Sequence, residues 1–202
     1  MSVDERMVHD IVQKVMANMQ ISGSVSGMHG VFKDMNDAIN ASIEAQKKVC
    51  TMTLDQREQI ISLIRKKTHE NAEILANMGV NETGMGNVGD KILKHHLTAD
   101  KVPGTEDIST IAWSGDRGLT LVEMGPFGVI GAITPATNPS ETVICNCIGM
   151  LAGGNTVVFN PHPNAKKTTI YTINMINEAS IEAGGPDNIA AVSYTHLRAH
   201  ET

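Results

Sequence analysis

The stretch Gly125-Pro-Phe-Gly-Val-Ile-Gly-Ala-Ile-Thr-Pro-Ala-Thr-Asn-Pro-Ser-Glu141, followed by Ala152-Gly-Gly-Asn-Thr-Val-Val-Phe-Asn-Pro-His-Pro163, decides how this chain is read. Residues 128 to 133 are apolar and rich in β-branched side chains and glycine, which reads as a buried strand. Asn138, then Pro139, then Glu141 give the order of an N-cap, an N1 proline and a capping carboxylate, so a helix should run from 139 to about 151. A second buried strand, residues 156 to 159, ends in a turn rich in proline and asparagine. A further helix from about 164 to 183 stops at Gly184-Gly185-Pro186, and residues 188 to 192 supply the next strand. This alternation predicts an α/β fold, a partial Rossmann-like parallel sheet with right-handed crossovers.

Ligands of such sheets bind beyond the carboxyl ends of the strands. Two such ends are visible, residues 134 to 138 and 160 to 163. Their prolines fix the backbone, and their polar side chains can bond a ribose, a phosphate or a carbonyl. Asn138 reads equally as a plain helix cap and as a cap with a catalytic role. His162, between two prolines, is a ligand contact or a turn residue that touches nothing.

Bulk properties set limits on partners. A formal charge of −6 and a pI near 5.7 argue against nucleic-acid or anionic-membrane binding, which need basic patches. No apolar run approaches the roughly 20 residues of a membrane span, and the N-terminus lacks the pattern of a secretory signal. Three cysteines, Cys50, Cys145 and Cys147, do not make a disulfide framework, so a reduced cytoplasmic setting is expected. Cys145 and Cys147 fall inside an apolar helix with no base nearby and read as packing thiols. No metal site is expected, because the His95-His96 pair lacks a third ligand and reads as part of a solvated face.

Residues 1 to 20 read as an amphipathic helix, capped by Ser2 and Glu5 with Met7, Val8, Ile11, Val12, Val15, Met16 and Met19 on one face. Residues 21 to 30 form a Gly/Ser linker. That tether favours a helix that docks on another protein. The nucleotide-binding domain then occupies residues 31 to 192. It opens with helices over 31 to 49 and 53 to 78, the second with a Thr53/Gln56 capping box. Gly84, Gly86 and Gly89 match G-x-G-x-x-G, but the residues before them are helical rather than a strand, so the match reads as a turn between helices. Residues 103 to 116 read as loop anchored by a buried Trp113, and residues 119 to 124 as a strand.

These residues resemble the N-terminal half of the aldehyde dehydrogenase superfamily, and more closely its CoA-acylating branch, the propionaldehyde and acetaldehyde dehydrogenases of bacterial microcompartments. The marks are Glu82-Thr-Gly-Met-Gly86, Gly128-Val-Ile-Gly-Ala-Ile-Thr-Pro-Ala-Thr-Asn-Pro139 and Val158-Phe-Asn-Pro-His-Pro163. The resemblance implies that a cysteine thiolate attacks a short-chain aldehyde, a hydride passes to NAD, and coenzyme A releases the acyl group as a thioester. It implies an oxyanion-binding amide at Asn138, although a gap-free comparison with ordinary members sets Thr137 there. It implies that Thr134, Pro135, Asn160 and His162 line the groove for NAD and CoA, with Asn160 where ordinary members carry lysine. It also implies a homo-oligomer, and a shell protein as the partner of residues 2 to 19 inside a microcompartment. The family's nucleophilic cysteine is not among the three present, so the chain as written should not oxidise aldehydes. Residues 193 to 202 depart from the family pattern and read as a foreign tail. Two rival readings are an ordinary non-acylating aldehyde dehydrogenase and a non-catalytic cargo or adaptor protein.

Overall fold

The computed structural model describes residues 27 to 194; the helix expected over 2 to 19 and the stretch from 195 onward lie outside the described residues. Strand β1 (Val31–Phe32) leads into helices α1 (Met35–Val49), α2 (Leu54–Thr83) and α3 (Val88–Lys101). Strands β2 (Ile111–Gly115) and β3 (Gly118–Val122) follow, then β4 (Val129–Thr134), α4 (Pro139–Ala152), β5 (Thr156–Pro161), α5 (Lys166–Glu182) and β6 (Ala190–Ser193). Four strands form one sheet in the order β1-β6-β5-β4, and every pairing in it is parallel.

Both faces of this sheet are covered, as a parallel sheet requires. Helix α1 lies on one face, where Ala38 packs with Val158 and Ala191. On the other face α4 and α5 bury Ile144, Ile148, Ile173 and Ile176 against Val157, Phe159 and Val192. Helix α2 packs outside α4 and α5, with Ile60, Ile61, Ile64 and Leu75 fully buried, and α3 packs on α2 and α4. The capping box of α2 is present in both directions, Thr53 Oγ1 accepting from Gln56 N at 3.2 Å and Gln56 Oε1 accepting from Thr53 N at 2.9 Å. Gly84 ends α2 in the left-handed conformation (φ 67°), and Asn87 caps α3. The G-x-G-x-x-G match is therefore a link between two helices.

Several expectations need correction. Residues 31 to 49 are not one helix, because Val31 and Phe32 pair with Val192 and Ser193 before Asp34 caps α1. A two-residue strand leaves no alternation to read, and its partner lies 161 residues away. Residues 111 to 122 form an antiparallel hairpin apart from the main sheet, and Trp113 is 58% exposed rather than a buried anchor. The end of the supposed linker is docked. His29 N donates to Asn174 Oδ1 at 2.8 Å, the His29 ring meets Asp187 at 2.9 Å, and Gly30 is buried with φ 74°. Ser193, where the expected tail begins, is the last residue of β6, and Tyr194 follows directly after it. Tyr194 N donates to Phe32 O at 2.9 Å.

Candidate functional site

Strands β4 and β5 run side by side in register, Ile133 opposite Asn160 and Thr134 opposite Pro161. Their carboxyl-end turns therefore meet, and His162 N donates to Thr134 O at 3.1 Å. Asn155 fixes the other end of β4. Its Oδ1 accepts from Phe127 N at 2.7 Å and from Gly128 N at 3.0 Å.

The period-two alternation of a strand places Ile133 and Thr134 on opposite faces. Ile133 and Asn160 line a groove of about 440 Å³ on the α1 side, together with Met35, Ile39, Gly131 and Val158. Gly131 puts no side chain on the groove floor, which leaves it open. The lining is apolar with one carboxamide at the strand end, the character of a small-molecule site. Thr134 is 2% exposed on the other face, and its Oγ1 has no hydrogen-bond partner among the described residues. Pro135 and His162 stand exposed at the crest between these two places. A ligand touching both Thr134 and Asn160 must cross the strand ends there. The His162 ring accepts from Asn164 N at 3.2 Å, so it caps the short turn before α5.

Asn138 begins α4 through its backbone, its carbonyl accepting from Thr142 N at 3.1 Å. Its side chain does not cap. Oδ1 accepts from Lys94 Nζ at 2.9 Å, and the backbone at φ −139° and ψ 64° is not the extended conformation of a side-chain cap. Glu141 does not reach back to the helix start either. It is buried, with Lys91 Nζ at 3.4 Å and the Ser140 hydroxyl at 3.2 Å. An ammonium binds a carboxylate or a carboxamide oxygen more strongly than a backbone amide does, so α3 captures both intended caps.

His95 is fully buried, contrary to the expected solvated face. Its ring bonds Lys91 O at 2.7 Å through Nδ1 and the Ser140 hydroxyl at 2.7 Å through Nε2. A carbonyl only accepts, so Nδ1 carries a proton, and in the neutral ring Nε2 and the Glu141 carboxylate share the single Ser140 hydroxyl proton. Burial pushes the pKa of His95 down, and Glu141 partly opposes this. Lys91, Lys94 and His95 thus grip residues 137 to 141 from one face of α3. Lys91 Nζ adds a bond to Thr137 O at 3.0 Å.

Glu82 also escaped functional notice in the sequence. Its carboxylate accepts from Lys167 N, Thr168 N and Thr168 Oγ1, each at 2.7 Å, and so caps α5, whose own cap residue Ala165 makes no side-chain bond. Among the cysteines, Cys147 is buried and burial pushes its thiol pKa far up. Burial also raises Cys145, and Cys50 lies exposed at the end of α1. None lies in the groove or in the two turns. Among the described residues there is no cluster of three or more metal-ligating side chains, and no helix is long and apolar enough to cross a membrane.

A doubly covered parallel sheet with polar groups at the ends of β4 and β5 defines a Rossmann-like α/β layer. The chain matches the aldehyde dehydrogenase family over residues 16–195, and it belongs to that family. It is 46% identical over 92% of its length to an acetaldehyde dehydrogenase (acetylating) of Bilophila wadsworthia, of which it covers 40%. A propionaldehyde dehydrogenase from the Clostridium phytofermentans fucose utilisation bacterial microcompartment matches with a TM-score of 0.82 and 71% identity, over 83% of this chain and 39% of that one. A Rhodopseudomonas palustris propionaldehyde dehydrogenase, solved with bound CoA and an acylated cysteine, matches with a TM-score of 0.79 and 45% identity, over 81% of this chain and 38% of that one. The chain thus spans about 40% of the length of these relatives.

Proposed function

We propose that this chain forms the nucleotide-binding part of a CoA-acylating aldehyde dehydrogenase, which converts a short-chain aldehyde, coenzyme A and NAD to acyl-CoA and NADH. The observation that carries the reading is the meeting of two turns at the ends of β4 and β5, with an apolar groove on one side and the Asn138 carboxamide on the other. Relatives that act on acetaldehyde or propionaldehyde with CoA support the same chemistry.

The groove suits a nucleotide. Its apolar walls accept a flat base, and Asn160 offers a donor and an acceptor to a ribose. NAD, when bound, supplies the hydride acceptor. The chain's own residues bind and orient: Asn160 and Pro135 shape the groove mouth, His162 closes the second turn, and the Asn138 Nδ2 donors face a carbonyl or oxyanion. The nucleophile is not among the three cysteines of this chain. Residues 2 to 19 dock on a microcompartment shell protein, a reading supported by the source of the Clostridium phytofermentans relative. The protein works as a homo-oligomer, in keeping with the exposed apolar side chains of the β2–β3 hairpin.

A chimera tests the reaction. Residues 27 to 192 replace the matching segment of the Clostridium phytofermentans propionaldehyde dehydrogenase, and NADH is followed with propanal and NAD. CoA-dependent NADH formation by the chimera, and none by the 202-residue chain alone, is the expected result. NADH formation indifferent to CoA would point to a non-acylating enzyme, and turnover by the 202-residue chain would show that Cys50, Cys145 or Cys147 is a nucleophile after all.

A further inference from the structure

The Lys94–Asn138 bond determines more than the loss of a helix cap. Lys94 Nζ carries only donors, so the atom of Asn138 that meets it at 2.9 Å must be the carboxamide oxygen. The amide orientation is therefore fixed by chemistry, and Nδ2 points away from Lys94. Among the described residues nothing accepts from that Nδ2. Two N–H donors stand unpaired among the described residues, in the turn between β4 and α4.

The neighbours of Lys94 on α3 hold the backbone beneath this amide. Lys91 binds the Thr137 carbonyl, one residue before Asn138, and His95 binds Ser140, two residues after it. Both are buried, at 4% and 0% exposure, so the base of the turn is held rigidly while Lys94 alone acts at its surface. The spacing 91, 94 and 95 puts all three on one helical face. An ammonium on the amide oxygen also draws electron density from the nitrogen, which makes the outward N–H groups better donors.

We propose that Lys94 is a positioning residue that fixes and polarises the Asn138 carboxamide as a two-proton donor for a carbonyl or oxyanion ligand. This rests on the acyl-transfer reading above. A neutral side chain at position 94 frees the amide to rotate and to turn its oxygen toward the ligand, where it would repel negative charge.

The test has two arms. In the isotope-labelled 202-residue chain, Lys94→Met should move the Asn138 side-chain amide resonances, while Lys94→Arg should leave them near the wild-type positions. Unmoved resonances in Lys94→Met would overturn the geometric basis. In the chimera described above, Lys94→Met should lower kcat roughly 10-fold with KM for NAD unchanged, less than the 100-fold or more expected for loss of a direct oxyanion donor. Lys94→Arg should restore most of it. A Lys94→Met chimera with wild-type kcat, or one whose loss is confined to KM for NAD, would overturn the assignment even though CoA-dependent turnover by the parent chimera upholds the wider function.

Discussion

Lys91 and Glu141 side chains are each 5% exposed, and their 3.4 Å contact is the buried ion pair behind the turn at the end of β4. Removing one partner strands the other in a dry site. Lys91→Met should therefore cost about 3–5 kcal/mol, read from urea unfolding, whereas Lys91→Met combined with Glu141→Gln should recover part of the loss. Equal stability of the single variant and the wild type would mean that water already reaches the pair. His95 contributes a pH dependence. Burial lowers its folded pKa below the ordinary value of about 6.5, so the unfolded chain takes up the proton first. Its contribution is fully present above about pH 6.5 and is lost as pH falls toward the folded pKa. The urea midpoint of wild type should drop between pH 7.5 and 5.5 more steeply than that of His95→Gln, and parallel curves would contradict this. The sequence did hold a trace of this cluster. Lys91, His95, Thr98 and Ala99 lie at helical spacing, and all four are buried. Charged side chains at such positions read as solvated because their partners, Ser140 and Glu141, lie 45 to 50 residues away.

Elements with local signals were legible, and those defined by distant partners were not. Strands β4 and β5 announced themselves by apolar runs, and α2 by its capping box. Strand β1 and the docking of residues 27 to 30 depend on contacts with β6 and α5, which no local pattern reveals. Helix α5 shows the same dependence at its start. Glu82 sits in the last turn of α2, where the helix dipole disfavours an acid, yet it satisfies the first amides of α5. Glu82→Ala should cost about 1–2 kcal/mol. Hydrogen exchange should show the loosening first at Lys167 and Thr168, with α2 itself unaffected. Protection lost evenly along α2 instead would assign Glu82 to its own helix.

At the scale of the whole molecule, the sheet is covered on both faces, but among the described residues β4 has an unpaired edge, and Ile133 on it is 84% exposed. Phe127, at 95%, and the apolar side chains of the hairpin add exposed surface. The parallel sheet and the meeting of its two terminal turns were legible from βαβα order. The separate hairpin was not, since strand propensity cannot say which sheet a strand joins. The groove was only half legible: Asn160 stood out, but Met35 and Ile39 come from α1 and enter the site only through packing.

The central claim is that the ends of β4 and β5 form the nucleotide site. The most direct measurement is amide and side-chain chemical-shift mapping of the 202-residue chain titrated with NAD and, separately, with CoA. Saturable shifts centred on residues 131 to 138 and 158 to 164, and on Met35 and Ile39, are the predicted result. Saturable shifts centred on the β2–β3 hairpin or on α3 beyond Lys94, with those segments silent, would contradict it.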